Sequence, residues 1–458
     1  MTERLANAAL RLDAEACELT IRGNTPLRAT TGRSQASASQ PIGDGSARFV
    51  SGQASELAWL VRPQGCVPTK SALSPAGGAV ARSDQAATTS REDHEFRNPS
   101  PASKRRLTRA RLFDLLSGLR SISSPRTAAC RHRRIARDVE VVRRPAQRAG
   151  GGTHTVAFYR GVLRCGSVWE CPVCMFQIRT ERANELARAV EEWGAGNVLM
   201  LSLTVRHGLG DDLRLTRAGI SKAFRGVING APWKRFKAKY GFQHQVRALE
   251  VTHGRNGWHP HIHVLVFLET PLSAEELDEA TAWFSERWAR CVQRVLGAKF
   301  LPNERGVDLR QVQRADYLAK LSLELLDPGT KRGRKTNRTP LQIAISAASG
   351  KRTDDEELWR RYCEGMRGAK MLTWSAGLRD IVGLGAEKAD AALVETDPPK
   401  DEIETVAVMP GHCWDSVRYR PGLPCAILDA VEVVPDRGDA ANAVQRLLWA
   451  GALVRPPP

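Results

Sequence analysis

The sequence predicts an α+β protein built on a split βαβ sheet of ferredoxin-like order, βαββαβ, with the helices on one face. Two runs of strand-forming residues flank Gly254-Arg255-Asn256-Gly257, which predicts a β-hairpin over 246–268. Apolar runs at 198–205 and 307–312 predict two further strands. Segments with helical spacing lie between these strands and complete the pattern.

The helices follow from apolar spacing and capping residues. Apolar residues recur at helical spacing from Ala183 to Trp193, and Gly194 ends that helix. A second helix covers roughly 215–229. Ser273 and Glu276 form a capping box that opens a third. The apolar face of this third helix consists of Leu277, Ala280, Phe284, Trp288, Cys291 and Val295.

The second arm of the hairpin carries three histidines at alternate positions, His259, His261 and His263. Side chains alternate across a strand, so the three imidazoles project from one face and the intervening apolar residues face a core. A turn centred on 254–257 places Glu250 opposite His261, with Cβ atoms about 4.5–5.5 Å apart. The same register places Thr252 opposite His259.

This set of side chains predicts a metal site formed by Glu250, His261 and His263, with His259 as a further candidate. Two imidazoles and one carboxylate with open positions suit Mg²⁺ or Mn²⁺ acting on phosphate oxygens, and imidazole also accepts Zn²⁺. The alternating His259, His261 and His263 also fit the histidine-triad pattern, in which a histidine attacks a nucleotide phosphate without a metal. A nucleotide hydrolase is therefore an alternative at this point.

Composition indicates a polyanionic partner. The 458 residues carry a formal net charge of +18, which favours nucleic acid first and an anionic membrane second. No apolar run approaches the roughly 18–20 residues of a membrane span, and the first residues lack the apolar core of a secretory signal. The scattered cysteines do not resemble a secreted disulfide framework, so we expect a cytoplasmic protein that does not bind membranes.

Arginines dominate the chain from Lys104 to Arg148. Such a run forms a solvated face about as often as it contacts phosphates, and the basicity of the whole chain favours DNA. The residues expected to bind DNA are Arg105, Arg106, Arg133, Arg134, Arg143, Arg144 and Arg314.

Cys171-Pro-Val-Cys174 forms a knuckle in which two thiolates reach one tetrahedral ion. Cys165 is a third ligand, and the fourth is Cys130, His132 or His154. We choose Cys130, because four thiolates favour a closed structural Zn²⁺ site. The alternative is a group of buried free cysteines.

A nucleophile candidate follows the fourth strand. If the segment is helical, Gln313, Tyr317, Lys320 and Glu324 share one face. A phenol with a pKa of about 10 is a weak nucleophile until a cation favours the phenolate. Lys320 and a metal-bound phosphate would supply that charge, which makes Tyr317 and Lys320 the predicted catalytic pair.

Three stretches together resemble the rolling-circle plasmid replication initiators of the HUH endonuclease superfamily. They are Leu201-Ser-Leu-Thr-Val-Arg-His207, Gly257-Trp-His-Pro-His-Ile-His263 and Tyr317-Leu-Ala-Lys320. The resemblance covers roughly 125–385. It implies that His261 and His263 bind the metal and that Tyr317 cuts DNA, leaving a 5′-phosphotyrosine link and a free 3′-hydroxyl. Some members use a glutamate one turn before the tyrosine for a second cut, and Gln313 stands there in this chain.

The resemblance also implies the partners: the double-strand origin of a plasmid, single-stranded DNA, a host helicase and a host DNA polymerase, with a homodimer as a further expectation. A related transposase or relaxase, or a zinc-containing DNA-binding regulator without chemistry, are the alternatives. The expected domains are a disordered extension (1–105), a basic zinc-knuckle module (106–180), the nicking and joining domain (181–330), a basic accessory segment (331–385) and a C-terminal tail or small unit (386–458).

Overall fold

The structure is a computed structural model, which describes residues 101–147, 153–312, 337–350, 352–395 and 397–453. Most of the N-terminal extension and the segment that carries Arg314, Tyr317 and Lys320 lie outside the described residues. The described chain falls into two compact units. One consists of 134–162 together with the part from 398 onwards, and the other of 101–133 together with 163–397.

Strands and helices alternate through both units. The strands, in chain order, are β1 (Val139–Gln147), β2 (Thr153–Arg160), β3 (Val198–Leu203), β4 (Phe242–Gly254), β5 (Gly257–Leu268), β6 (Val307–Gln311), β7 (Leu372–Trp374) and β8 (Glu404–Met409). The helices are α1 (Pro101–Gly118), α2 (Pro125–Ala128), α3 (Pro172–Trp193), α4 (Leu213–Val227), α5 (Gly230–Tyr240), α6 (Ala274–Leu296), α7 (Pro340–Ala348), α8 (Thr353–Met366), α9 (Leu378–Ile381), α10 (Asp390–Glu395), α11 (Gly411–Val417), α12 (Leu423–Val433) and α13 (Arg437–Leu453).

The larger unit is organised around a five-stranded antiparallel sheet of order β6-β3-β5-β4-β7. The four predicted strands follow one another along the chain as expected, with α4 and α5 in the first crossover and α6 in the second. The three-residue strand β7 extends the sheet beyond β4, where Thr373 pairs with Arg247. A segment expected to be an accessory therefore belongs to the central sheet.

Helices cover both faces of this sheet, which differs from the expectation of one covered face. On one face, Ile262 and Val264 of β5 pack with Phe224 of α4 and Phe284 of α6. On the other, Leu265 of β5 packs with α3 through side chains that include Leu186 and Val190. Helix α3 covers this second face, and this contact buries its apolar stripe.

The smaller unit contains a three-stranded sheet of order β2-β1-β8. Its core is formed by residues of these strands and of α11, α12 and α13. Val141, Tyr159 and Trp414 belong to this core. The Tyr159 hydroxyl donates a hydrogen bond to the Pro424 carbonyl at 2.7 Å, and its ring centroid lies 4.7 Å from that of Trp414. Residues 139–160, which the sequence assigns to the zinc-knuckle range, thus pair with the C-terminal segment.

The chain leaves the larger unit and returns to it at one point. The Arg131 N–H donates to the Leu163 carbonyl at 2.7 Å, and the Leu163 N–H donates to the Arg133 carbonyl at 2.8 Å. The two ends of the excursion 134–162 are therefore held side by side by backbone hydrogen bonds.

Helix α1 begins at Pro101, so its first five residues fall in the range expected to be disordered. Leu116 near its end and Leu119 just beyond it are buried in the main core, which explains why the helix forms despite its many arginines. None of the described helices is long and apolar enough to cross a membrane.

Candidate metal centres

The β4–β5 hairpin brings the predicted metal ligands together. Glu250 pairs with His261 and Thr252 with His259, in the predicted register. The hairpin closes at Gly257, whose φ of 85° favours glycine. A Cβ at this position would lie 3.0 Å from the Gly208 carbonyl oxygen, so a larger residue would also push the 208–209 loop away. The turn therefore fixes the register that places Glu250 beside the histidines.

One carboxylate oxygen connects the two imidazoles. Glu250 Oε2 lies 3.0 Å from His261 Nε2 and 3.0 Å from His263 Nε2. Adjacent octahedral ligands at about 2.1 Å from Mg²⁺ are separated by about 3.0 Å, so these atoms already have the spacing of a metal ligand set. The ligand atoms of all three side chains lie within 4.8 Å of one another. The residues present therefore fit a divalent ion.

The electrostatics of the group favour a carboxylate with positive neighbours. Burial opposes the charged form of Glu250, but His261 and His263 outweigh it and hold the pKa of Glu250 well below its usual range. Burial likewise opposes the charging of His261, yet the Glu250 carboxylate raises the pKa of this imidazole above its ordinary value. A divalent ion would replace these protons as the positive partner of Glu250.

His259 lies beside this group and outside the set of mutually close ligand atoms. Its ring centroid is 5.2 Å from that of His261 and 4.5 Å from that of His207. Burial and the neighbouring His261 lower the pKa of His259 to about 3, so its imidazole is neutral. Its Nε2 has no hydrogen-bond partner among the described residues.

A hydroxyl on the neighbouring strand orients one of the ligands. Ser202 Oγ of β3 lies 2.8 Å from His263 Nδ1, directly across the β3–β5 pair. A partner on Nδ1 leaves Nε2 directed at the metal position. Ser202 was not predicted as a site residue, although it is the one polar residue in the apolar run of β3 and occupies the position that alternation assigns to the metal face.

Helix α3 places a buried cation behind Glu250. Arg179 is 4% exposed and lines a cavity of about 30 Å³ together with Glu250 and Tyr362. Neither Arg179 Nε nor the Tyr362 hydroxyl has a hydrogen-bond partner among the described residues, and the cavity has room for one or two water molecules. Burial raises the pKa of Tyr362, so its hydroxyl stays protonated and able to donate. Sequence spacing alone gave no signal for this pair.

The four predicted zinc ligands converge at the beginning of α3. Cys130 Sγ lies 3.6 Å from Cys174 Sγ and 3.7 Å from Cys171 Sγ, and Cys165 Sγ lies 3.8 Å from Cys174 Sγ. Sulfur atoms bound tetrahedrally to Zn²⁺ at about 2.3 Å are separated by about 3.8 Å, which matches these distances. Of the three candidates for the fourth ligand, the structure brings Cys130 into the group.

The cluster requires a cation to hold four thiolates. Burial raises the pKa of Cys171 well above its usual range, while hydrogen bonds from Cys130, Cys165 and Cys171 lower the pKa of Cys174. Four buried negative charges cannot coexist without a positive ion. All four side chains are buried, which fits a closed structural site.

The arginines predicted to bind DNA lie in different surroundings. Arg133 is exposed, and Arg105, Arg106 and Arg144 are partly buried. Arg134 forms an ion pair with Asp415 at 2.7 Å. The side chain of Arg143 is 10% exposed, and its guanidinium donates to Glu404 and to the carbonyls of Val434 and Pro435. The Arg143 guanidinium therefore forms its hydrogen bonds within its own unit.

Comparison with known proteins identifies the family. The sequence model of a family described as "Replication protein" matches residues 161–417, more than half of the chain. A "Protein rep" of Streptomyces lividans is 28% identical over 335 residues, which cover 57% of this chain and 73% of the relative. A "Protein rep" of Streptococcus pneumoniae serotype 2 is 28% identical over 149 residues, 31% of this chain and 43% of the relative.

A "Neomycin resistance protein" of Streptomyces cyanogenus is 35% identical over 135 residues, which cover 24% of this chain and 31% of the relative. No solved structure matches the chain. The matched range includes three of the four cysteines and the complete Glu250-His261-His263 group. The resemblance noted in the sequence is thereby confirmed: this chain belongs to the replication protein family.

Proposed function

We propose that the protein initiates plasmid replication by nicking and rejoining one strand of origin DNA. The observation that carries this proposal is the position of Glu250 Oε2, 3.0 Å from an imidazole nitrogen of both His261 and His263 on the neighbouring strand. Membership of the replication protein family and the name of its "Protein rep" relatives support the same function. The sheet around the site has the order β6-β3-β5-β4-β7, with the four predicted strands adjacent to one another.

Glu250, His261 and His263 would hold Mg²⁺ or Mn²⁺, whose charge polarises the scissile phosphate and stabilises the charge that develops during transfer. The site residues hold the phosphate in line with Tyr317. A bond forms between the tyrosine oxygen and phosphorus, and the bond from phosphorus to the 3′ oxygen breaks. The phenol loses its proton and the released 3′ oxygen gains one. One phosphodiester replaces another, so the step needs no ATP and is reversible.

The released 3′-hydroxyl would prime a host polymerase while a host helicase opens the duplex. A second cut would end the cycle. Gln313 stands where some relatives have a catalytic glutamate, so Asp316, Glu324 or the tyrosine of a second protomer would perform that cut. These residues lie outside the described part of the chain, and their roles rest on the sequence motifs.

The test is incubation of the protein with supercoiled plasmid carrying a candidate origin and Mg²⁺ or Mn²⁺. We expect a relaxed, nicked product and a protein–DNA adduct that survives denaturing electrophoresis. Tyr317→Phe should abolish both products and retain DNA binding. Nicking by Tyr317→Phe at the wild-type rate, or cutting by the wild type in excess EDTA, would overturn the mechanism.

A histidine-triad nucleotide hydrolase is the main alternative chemistry. It predicts hydrolysis of small nucleotides without a metal and no role for Tyr317. The geometry favours the metal centre, because both Nε2 atoms are directed at one carboxylate rather than at open solvent. Cys130, Cys165, Cys171 and Cys174 would bind a structural Zn²⁺ and would not take part in the chemistry.

A further inference from the structure

Helices α4 and α5 are both basic, and on α5 Lys239 is paired with Glu279. Four basic residues lie on each helix, and neither helix contains an acidic residue. The residues are Arg214, Arg217, Lys222, Arg225, Lys234, Arg235, Lys237 and Lys239. None of them belongs to the arginine-rich segment that the sequence associates with DNA.

The exposed side of α4 is a straight stripe. Ile220, Phe224 and Val227 are buried against the sheet. Arg214, Ala218, Lys222 and Arg225 are exposed and follow one another at i, i+4, i+8 and i+11, so they lie along one side of the helix. At 1.5 Å per residue, the stripe from Arg214 to Arg225 is about 17 Å long.

The cations of the stripe have no acidic partners among the described residues. On two other helices, exposed arginines pair with a glutamate one turn away: Arg290 with Glu286 on α6 and Arg361 with Glu357 on α8. On α4, Lys222 and Arg225 are three residues apart and repel one another. This arrangement lowers helix stability unless an external anion lies against the helix.

The stripe begins near the metal centre. Loop 204–212 leads from β3 into α4, and the ring of His207 in this loop lies 4.5 Å from the ring of His259 on β5. From there α4 extends away from the site on the face of the sheet opposite the histidines. The loop thus joins α4 to the histidine strand, while the exposed side of α4 lies on the other face of the sheet.

We infer that the exposed stripe of α4 binds the phosphate backbone of the duplex that flanks the cut. The inference rests on the proposed function, since it concerns the DNA on either side of the proposed nicking site. Along the axis of a duplex, the phosphates of one strand are spaced 3.4 Å apart, so the stripe spans the axial length of about five of them. None of the exposed residues of α4 is aromatic, whereas surfaces that bind single strands stack bases on aromatic rings.

The test compares two double variants of the full chain with the same change in net charge. Lys222→Gln/Arg225→Gln removes two cations from the stripe, and Arg360→Gln/Arg361→Gln removes two from α8, where each is paired with a glutamate. Binding of a fluorescent duplex of arbitrary sequence is measured over a series of salt concentrations. We expect the stripe variant to reduce the slope of log K against log salt by about 2 and to weaken binding at least about 10-fold at 0.15 M salt.

We expect the α8 variant to bind like the wild type. Lys222→Arg/Arg225→Lys, which keeps both charges, should restore the slope. An unchanged slope in the stripe variant, or an equal loss in the α8 variant, would overturn the inference. An equal loss for a single strand of the same length would overturn the assignment to duplex DNA. Failure of the wild type to form the tyrosine adduct would instead overturn the nicking proposal, because duplex binding is scored separately.

Discussion

Glu250 and His261 face each other across the β4–β5 pair, and the carboxylate Oε2 lies 3.0 Å from the imidazole Nε2. His263 meets the same oxygen at the same distance. The carboxylate is thus the common member of the group, and the loss of its charge should affect the site more than the loss of either imidazole.

Loss of a residue that only orients a metal ligand weakens metal binding roughly 10- to 100-fold. Because Glu250 is itself a proposed ligand, we expect Glu250→Gln to weaken Mn²⁺ binding by more than this. The amide keeps the shape of the side chain and removes the charge. Mn²⁺ affinity is measured by titration followed by electron paramagnetic resonance. Glu269→Gln, an exposed residue just beyond β5, is the matched control and should bind as the wild type does. Equal affinities for Glu250→Gln and the wild type would exclude Glu250 as a ligand.

Ser202 orients His263 through a 2.8 Å contact between Oγ and Nδ1. We expect Ser202→Ala to weaken Mn²⁺ binding about 10-fold, since partners of this kind fix the ring orientation of a ligating histidine. Ser202→Thr keeps the hydroxyl and suits a strand, so it should retain most of the affinity. If alanine and threonine at this position behave alike, the hydroxyl has no orienting role.

The thiol cluster should contain one zinc ion per chain. We expect Cys171→Ser to lose this zinc and to lower the midpoint of thermal unfolding, because structural zinc contributes directly to folding free energy. Zinc content is measured by elemental analysis of the purified protein. Cys363→Ser, which changes a cysteine outside the cluster, should keep its zinc. A wild-type protein purified without any metal under zinc-replete conditions would contradict the assignment.

Asp355 and Arg338 form an ion pair at 2.8 Å whose carboxylate side chain is 1% exposed. The hydrogen bond from Arg338 lowers the pKa of Asp355 below its ordinary value. A depressed carboxyl pKa stabilises the folded state above the unfolded pKa of about 3.9, and this contribution disappears as pH falls through the folded pKa.

We therefore expect Asp355→Asn to lower the free energy of unfolding by about 1.5–3 kcal/mol near neutral pH. The difference from the wild type should stay constant between about pH 5 and 8 and shrink below about pH 4. This difference in the free energy of unfolding is measured by urea unfolding at several pH values. A difference that grows on acidification would show that the pair is not the source of the effect.

The hairpin and the thiol cluster could be predicted from sequence because local chemistry determines both. The glycines of the turn and the strict alternation of His261 and His263 leave one register in which Glu250 joins them. Cys171 and Cys174 meet through a single turn at the start of α3. Cys130, which is 41 residues before Cys171, was predicted from its thiol and not from its spacing.

The remaining features depend on contacts between distant segments. The apolar spacing of Leu186 and Val190 predicts a helix but does not say which face of the sheet it covers. Strand β7 has three residues, too few for alternation to be recognised. The pairing of Val139 with Met409 joins segments 270 residues apart, and no local pattern indicates such a partner.

Leu163 accepts a backbone hydrogen bond from Arg131 and donates one to Arg133, so the closeness of Arg133 and Leu163 has a practical consequence for the design of a shorter protein. A tight linker can join these two positions and bypass residues 134–162, provided that the C-terminal segment paired with them is removed as well. The shortened protein must still start before Cys130 and continue past β7, because α3 runs from the thiol cluster to the sheet. A shortened protein that began after Cys174 would lack the whole thiol cluster at the beginning of α3.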